Sequence, residues 1–156
     1  GVSAARKVVL IGFVTGVVCS LIGSQIMLEY GPAVPLRIAV GSGTAFLVAQ
    51  LVDVAIFNRL RSGSWWRAPL VSTLFSSALD TALFFTIAFS ASLTLFGEAA
   101  DGAINWAWQA APFMIFGPEM PLGVTLGFAD WWVKLVVAMV ALIPFRLIIS
   151  QRIAKT

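Results

Sequence analysis

The sequence predicts an all-α polytopic membrane protein with four transmembrane helices, and three observations carry that expectation. Hydrophobic residues fill 60% of the 156 positions and charged residues only 11%, against about a quarter in an ordinary soluble domain. Mean hydropathy is +0.96, and a soluble fold of this length has too little interior to hide so much apolar surface. The apolar residues gather into long runs, and the charges outside those runs sort by side.

A helix needs about 20 apolar residues to cross roughly 30 Å of hydrocarbon. The first such run is Val8–Leu28, preceded by Arg6 and Lys7. It lacks a small-residue cleavage site, so it reads as a span rather than a signal peptide. Its Gly12 and Gly16 make a G-x-x-x-G spacing, for which internal helix packing is the plainer reading. The second run is Arg37–Phe57. The third, Pro69–Phe96, is long enough to tilt or protrude, and Trp65 and Trp66 before it suit an interfacial anchor. A shorter run, 104–116, holds Trp106, Trp108 and Pro112. It is too short to cross and reads as an interfacial or re-entrant segment. The fourth run is Leu122–Ile143, with Pro144 near its end. No soluble domain, linker or low-complexity tract interrupts this single helical domain over 1–156.

Charge tests the count. Arg6 and Lys7, then Arg59, Arg61 and Arg67, then Arg146, Arg152 and Lys155 all fall on one side if four spans alternate. The opposite side receives Glu29, Glu98, Asp101 and Glu119, with Arg37 as its one cation. Cytoplasmic loops hold the Lys and Arg excess, so both ends of this chain are expected in the cytoplasm. The basic pI of 9.6 thus reflects topology rather than a nucleic-acid surface. With no histidine and a single Cys19, no intrachain disulfide can form and no metal site is expected. No cofactor is called for, and no Walker motif is present.

Four ionisable residues lie inside the runs: Asp53, Asp80, Asp130 and Lys134. Each costs about 2.5–3.5 kcal/mol at a helix centre on insertion scales, and such residues usually face a bundle interior or a wet cavity. Asp130 and Lys134 are four apart and can pair with each other, a purely structural reading of equal weight. At 1.5 Å per residue, Asp80 lies roughly 16 Å and Lys134 roughly 14 Å from the cationic ends of their helices. They are therefore at one level and can meet across the bundle. Gln50 and Asp53 are shallower, at roughly 10 Å and 6 Å, and Asp53 reads equally as a solvated helix end. Residues three and four apart share a helical face. Thr73, Ser76, Ser77, Asp80 and Phe84 make one stripe; Phe46, Gln50, Asp53 and Phe57 a second; Gly127, Trp131 and Lys134 a third, with Asp130 beside it. Aromatic stripes alone are usually core packing. Polar groups on three spans suggest a lined pocket for a planar ligand.

The stretches "FLVAQLVDVAIFNRLR" and "WWRAPLVSTLFSSALDTALFFTIAF", with "ARKVVLIGF" at the start and the Lys134 region, resemble the queuosine-precursor transporter family, once grouped as vitamin uptake transporters. The resemblance covers most of the chain. It implies a fold of about six helices, similar to the substrate-binding subunits of energy-coupling-factor transporters. It also implies inner-membrane uptake of the deazaguanines preQ0 (7-cyano-7-deazaguanine) and preQ1, precursors of a tRNA nucleoside. On the family pattern the ligand residues are Gln50, Asp53, Asp80 and Lys134. The family often has Gly-Gln where this chain has Ser76 and Ser77, which alters the hydrogen bonding beside Asp80. Members carry about two further spans before the point where this sequence starts. With Gly1 in place of Met, an upstream segment is therefore expected.

The ligand set expected from stripes and resemblance together is Gln50, Asp53, Ser76, Ser77, Asp80, Phe84, Trp131 and Lys134. A guanine edge offers a ring N–H and an exocyclic amine in parallel, and a carboxylate can accept both. Asp80 suits that role, Gln50 the carbonyl, and Phe84 or Trp131 a stacking face. Three other readings compete. Asp53 and Asp80 as an intramembrane aspartyl protease dyad would share a proton, but "GFAD" at Gly127–Asp130 lacks the second glycine of that motif. Their depths also differ by about 10 Å. A binding subunit driven by a separate ATPase, and a structural assembly subunit, are the others. Association into homo-oligomers and the choice between preQ0 and preQ1 are left open by the sequence.

Overall fold

The four long apolar runs fold as four long helices in the computed structural model, which describes residues 1–29, 31–93 and 96–153. These are α1 (Val2–Gln25), α2 (Leu36–Leu60), α3 (Arg67–Phe89) and α5 (Leu122–Ile153), with a short α4 (Glu98–Gly102) before the last. Each of the four is long and apolar enough to cross a bilayer by length and composition. The chain is an all-α, multi-pass membrane protein. Lys155, counted above among the cations of one side, lies outside the described residues.

Contacts between helix ends fix the direction of each neighbour. Arg37 at the start of α2 bonds residues at the end of α3, and Asp53 late in α2 bonds Ser76 early in α3. These two helices are therefore antiparallel. Lys134 of α5 meets Asp80 of α3, while Gly123 lies against Phe89, so α5 also runs opposite to α3. Gly12 of α1 faces Phe46 and Gly23 faces Val34, which lays α1 antiparallel on α2. The order across the sheet of helices is α1, α2, α3, α5.

Small residues form the tightest seam. Gly41, Ala45 and Ala49 are buried on α2, and Ser72, Ser76, Ser77, Thr81 and Ala88 on α3. A Cβ on Gly41 would meet Ala88 Cβ at 3.2 Å and Ala88 N at 3.3 Å, so only glycine lets these backbones approach that closely. Large apolar side chains point outward instead: Val8 is 70% exposed, Val14 58% and Ile143 64%. Small inside and large outside is the pattern expected where lipid, rather than water, surrounds the bundle. The G-x-x-x-G of α1 is only half engaged. Gly12 leaves room for the Phe46 ring, whereas Gly16 has open space where its Cβ would be.

Four boundaries differ from the sequence expectation. First, α1 starts at Val2 and takes in Arg6 and Lys7. Second, Met27 and Leu28, placed in the first span, instead form a strand (β1, Met27–Leu28) paired antiparallel with β2 (Gly31–Pro32). Third, α3 ends at Phe89, not Phe96, because its terminal carbonyls are taken by other partners. Ile87 O accepts Arg37 Nε, Ser90 O accepts Arg37 Nη2, and Phe89 O accepts Trp108 Nε1. Fourth, α5 continues through Pro144 to Ile153. The proline removes one donor to Val140 O, a break that membrane helices tolerate.

Arg37, the first residue of the second run and the one cation expected on its side, is a packing residue. It is fully buried, its Nη1 2.5 Å from Asp101 Oδ1 on α4, its Nη2 donating to Ser90 O, and its guanidinium over the Phe96 ring. A cation at the end of α3 also opposes the negative pole of the helix dipole. The 104–116 run is not helical throughout. A 3₁₀ turn at Asn105–Trp108 leads into an antiparallel hairpin of β3 (Ala110–Pro112) and β4 (Glu119–Pro121). At the tip Met114 and Ile115 hold positive φ values of 49° and 78°. Ile115 and the following Phe116 are exposed there.

Candidate functional site

A cavity of about 550 Å³ opens where α2, α3 and α5 converge, within the size range of small-molecule sites. It occupies the half of the bundle nearer Arg59, Arg61 and Arg67. The helical period brings its polar lining together: Gln50 and Asp53 one turn apart on α2, Ser76 and Asp80 on α3, and Lys134 on α5. Ser77 reaches the same space. Six of the eight residues expected from sequence therefore line one cavity.

Lys134 organises the deep end. Its Nζ donates to Asp80 Oδ2 at 2.6 Å and to Asp130 Oδ2 at 2.5 Å. The cross-bundle contact and the i,i+4 pair thus form together around one ammonium. Thr81 Oγ1 donates to Asp130 Oδ2 at 2.7 Å and lies 3.2 Å from Lys134 Nζ. Asp80, Asp130 and Lys134 are each about a third exposed, so none is sealed from an incoming ligand. At the shallower end Ser76 Oγ donates to Asp53 Oδ1 at 3.1 Å, while Ser77 donates back to Leu74 O at 3.3 Å. Among the described residues the Gln50 amide has no side-chain hydrogen bond, and it is exposed. The lining thus offers two carboxylates, one ammonium and one free amide, on otherwise apolar walls.

Phe84 and Trp131 do not line this cavity. Phe84 lies one turn beyond Asp80 and packs edge-on against Phe85 and Phe89, with ring centroids at 5.1 and 5.7 Å. Trp131 sits beside Phe128 and lines a different space. The aromatic ring in the cavity is Phe46, joined by Thr73 and by the apolar walls Pro69 and Val133. Sequence reasoning grouped Phe46 with Gln50 and Asp53, and Thr73 with Asp80, by helical spacing. It passed over them as site residues because spacing gives the face of a helix but not which turn borders open space.

The chain is thus a multi-pass helical bundle with a lined cavity and ionisable groups held at its wall. The chain belongs to the family described as "Putative vitamin uptake transporter", which matches residues 1–149. It is 36% identical over 109 residues to a "Probable queuosine precursor transporter" of Haemophilus influenzae, covering 69% of this chain and 37% of that protein. It is 54% identical over 54 residues to the "Queuosine precursor transporter" of Escherichia coli K12, covering 34% of this chain and 24% of that protein. The chain thus spans well under half the length of either relative. No solved structure matches it, and the architectural comparison with energy-coupling-factor subunits rests on the family resemblance alone.

Proposed function

We propose that this protein imports queuosine precursors, preQ0 or preQ1, across the inner membrane, and that the cavity at Asp80 is where the deazaguanine binds. The observation that carries this reading is the Asp80 carboxylate, anchored by Lys134 through one oxygen, Oδ2, at the wall of a ligand-sized cavity. Its family and the names of two relatives supply the substrate class.

The chemistry follows from the lining. Asp80 accepts the ring N–H and the exocyclic amine of the guanine edge, bonds about twice as strong as neutral ones because the acceptor is ionised. Gln50 donates its free amide to the carbonyl, and the Phe46 ring packs on the heterocycle. Asp53, held by Ser76, receives the cationic amine of preQ1. Two carboxylates against one ammonium leave the lining one negative charge in excess, which favours a cation over a neutral nitrile. Both ends of the chain face the cytoplasm, where the Lys and Arg excess belongs, so the cavity lies in the cytoplasmic half of the bundle.

The test is queuosine recovery. The full-length protein is expressed in cells that neither make nor import these precursors, with nanomolar preQ0 or preQ1 outside, and queuosine in tRNA is assayed. Wild type should restore the nucleoside and Asp80→Asn, at matched membrane level, should not. Failure of well-expressed wild type with both precursors would refute the reading.

A further inference from the structure

Of Asp53, Asp80, Asp130 and Lys134, only Asp130 has no part in the site proposed above. It stands one turn before Lys134 on α5 and is bonded to it. Yet it is not among the residues that line the cavity, whereas Asp80 and Lys134 both are. A carboxylate kept in an apolar helix away from the ligand space calls for its own account, because a charge there is expensive.

The hydrogen bonds supply one. An ammonium has three donors, and three oxygens surround Lys134 Nζ: Asp130 Oδ2 at 2.5 Å, Asp80 Oδ2 at 2.6 Å and Thr81 Oγ1 at 3.2 Å. Thr81, buried on α3 next to Asp80, gives its hydroxyl hydrogen to Asp130 Oδ2 at 2.7 Å. Its oxygen is therefore left to accept from the lysine. Lys134 is saturated and has no donor to spare for a ligand. A guanine edge laid on Asp80 uses both carboxylate oxygens, and Oδ2 is the one that Lys134 holds. Ligand and lysine thus meet at a single atom. Were Asp80 the only countercharge, its turn toward the ligand would strand the ammonium, and a covered charge without a partner is costly. Asp130 and Thr81 remove that cost. They leave Lys134 two acceptors, one of them charged, when Asp80 lets go.

We propose that Asp130 is a positioning residue for the Asp80 site: with Thr81 it holds the Lys134 ammonium from outside the cavity, so that Asp80 can pass from lysine to ligand. Binding is then an exchange of partners at Asp80 Oδ2. The empty site keeps Asp80 oriented by Lys134, and the filled site keeps Lys134 paired with Asp130. Since the ligand is the deazaguanine of the preceding section, this inference rests on the function proposed there.

A double-mutant cycle tests it. Purified full-length wild type, Asp130→Asn, Lys134→Met and the double variant are titrated with preQ0 and preQ1 by calorimetry, with thermal melts on the same samples. Asp130→Asn should weaken both precursors about tenfold, the low end for a bond to a charged group. Its melting temperature should stay close to wild type, because Lys134 still pairs with Asp80. In the Lys134→Met background there is no ammonium to hold, so Asp130→Asn should leave preQ0 affinity unchanged. That coupling through Lys134 is one that a purely structural role would not produce. The preQ1 loss should shrink there without vanishing, since its cation still feels the carboxylate. Thr81→Val, which alters no charge, should weaken both precursors about threefold, and Thr81→Ser should bind like wild type. Unchanged affinity in Asp130→Asn, or a preQ0 loss of the same size in both backgrounds, would overturn the proposal and leave the function standing. Should Lys134→Met fail to fold or to bind, the Thr81 variants decide, and Thr81→Val binding as tightly as wild type overturns it. A wild type that binds neither precursor would remove the proposed function and this inference together.

Discussion

Lys134 is the residue on which the site turns, because its one ammonium holds two carboxylates at once. Removing it leaves Asp80 and Asp130 facing each other without a cation, and an uncompensated buried charge is costly. Partial exposure of all three groups reduces that cost, so Lys134→Met should destabilise by on the order of 1–3 kcal/mol. Lys134→Met combined with Asp130→Asn should recover part of the loss, read as thermal stability in detergent. Asp80→Asn is different, since Lys134 keeps Asp130 and the fold keeps its ion pair. It should remove function while sparing stability. Asp53 separates the two precursors. Asp53→Asn should weaken preQ1 uptake about tenfold, the low end for a bond to a charged group, and leave preQ0 uptake close to wild type, measured as precursor-dependent queuosine in tRNA. Equal losses for both would deny Asp53 the amine. The carboxylates and the lysine were visible in the sequence because charge inside an apolar run is expensive. The shared ammonium was less so, since spacing within one helix and depth on two gave each contact separately.

Helix packing sets where these residues stand, and Arg37 and Gly41 set the packing. Arg37 holds the ends of α2, α3 and α4 together, with every donor group of its guanidinium engaged. Arg37→Ala would strand Asp101 and two carbonyls and should cost about 3–5 kcal/mol. A lysine there cannot reproduce the fork, so Arg37→Lys should recover little, as melting curves would register. At Gly41 a Val would push directly into Ala88 and part α2 from α3. Gly41→Val should lower the yield of folded protein in the membrane sharply, whereas Gly16→Val, with open space around it, should be close to neutral. Apolar runs and small-residue stripes made the helices readable in advance. Their ends were not, because α3 stops where Arg37 and Trp108 reach it from elsewhere in the chain. Arg37 was placed at the start of its span, but its pairing was not foreseen, since its partner Asp101 lies 64 positions away.

Taken whole, the molecule is a row of antiparallel helices whose polar groups face inward at two levels of one cavity and whose large apolar side chains mostly face outward. That layout sets the cavity against the ion cluster that ties α3 to α5. The fold class was legible because crossing a bilayer constrains length, composition and charge together. The cavity was legible only in part. Helical period gives a face, but Phe84 and Trp131 share their faces with site residues and stand a turn too far along. The central claim is that Asp80 reads the ligand, and equilibrium binding tests it most directly. Purified full-length wild type and Asp80→Asn would be titrated with preQ1 by calorimetry, with thermal melts on the same samples. Binding should weaken about 10- to 100-fold in the variant, as expected for bonds to an ionised acceptor, with the melting temperature held. An Asp80→Asn protein that melts like wild type and binds preQ1 as tightly would contradict the account.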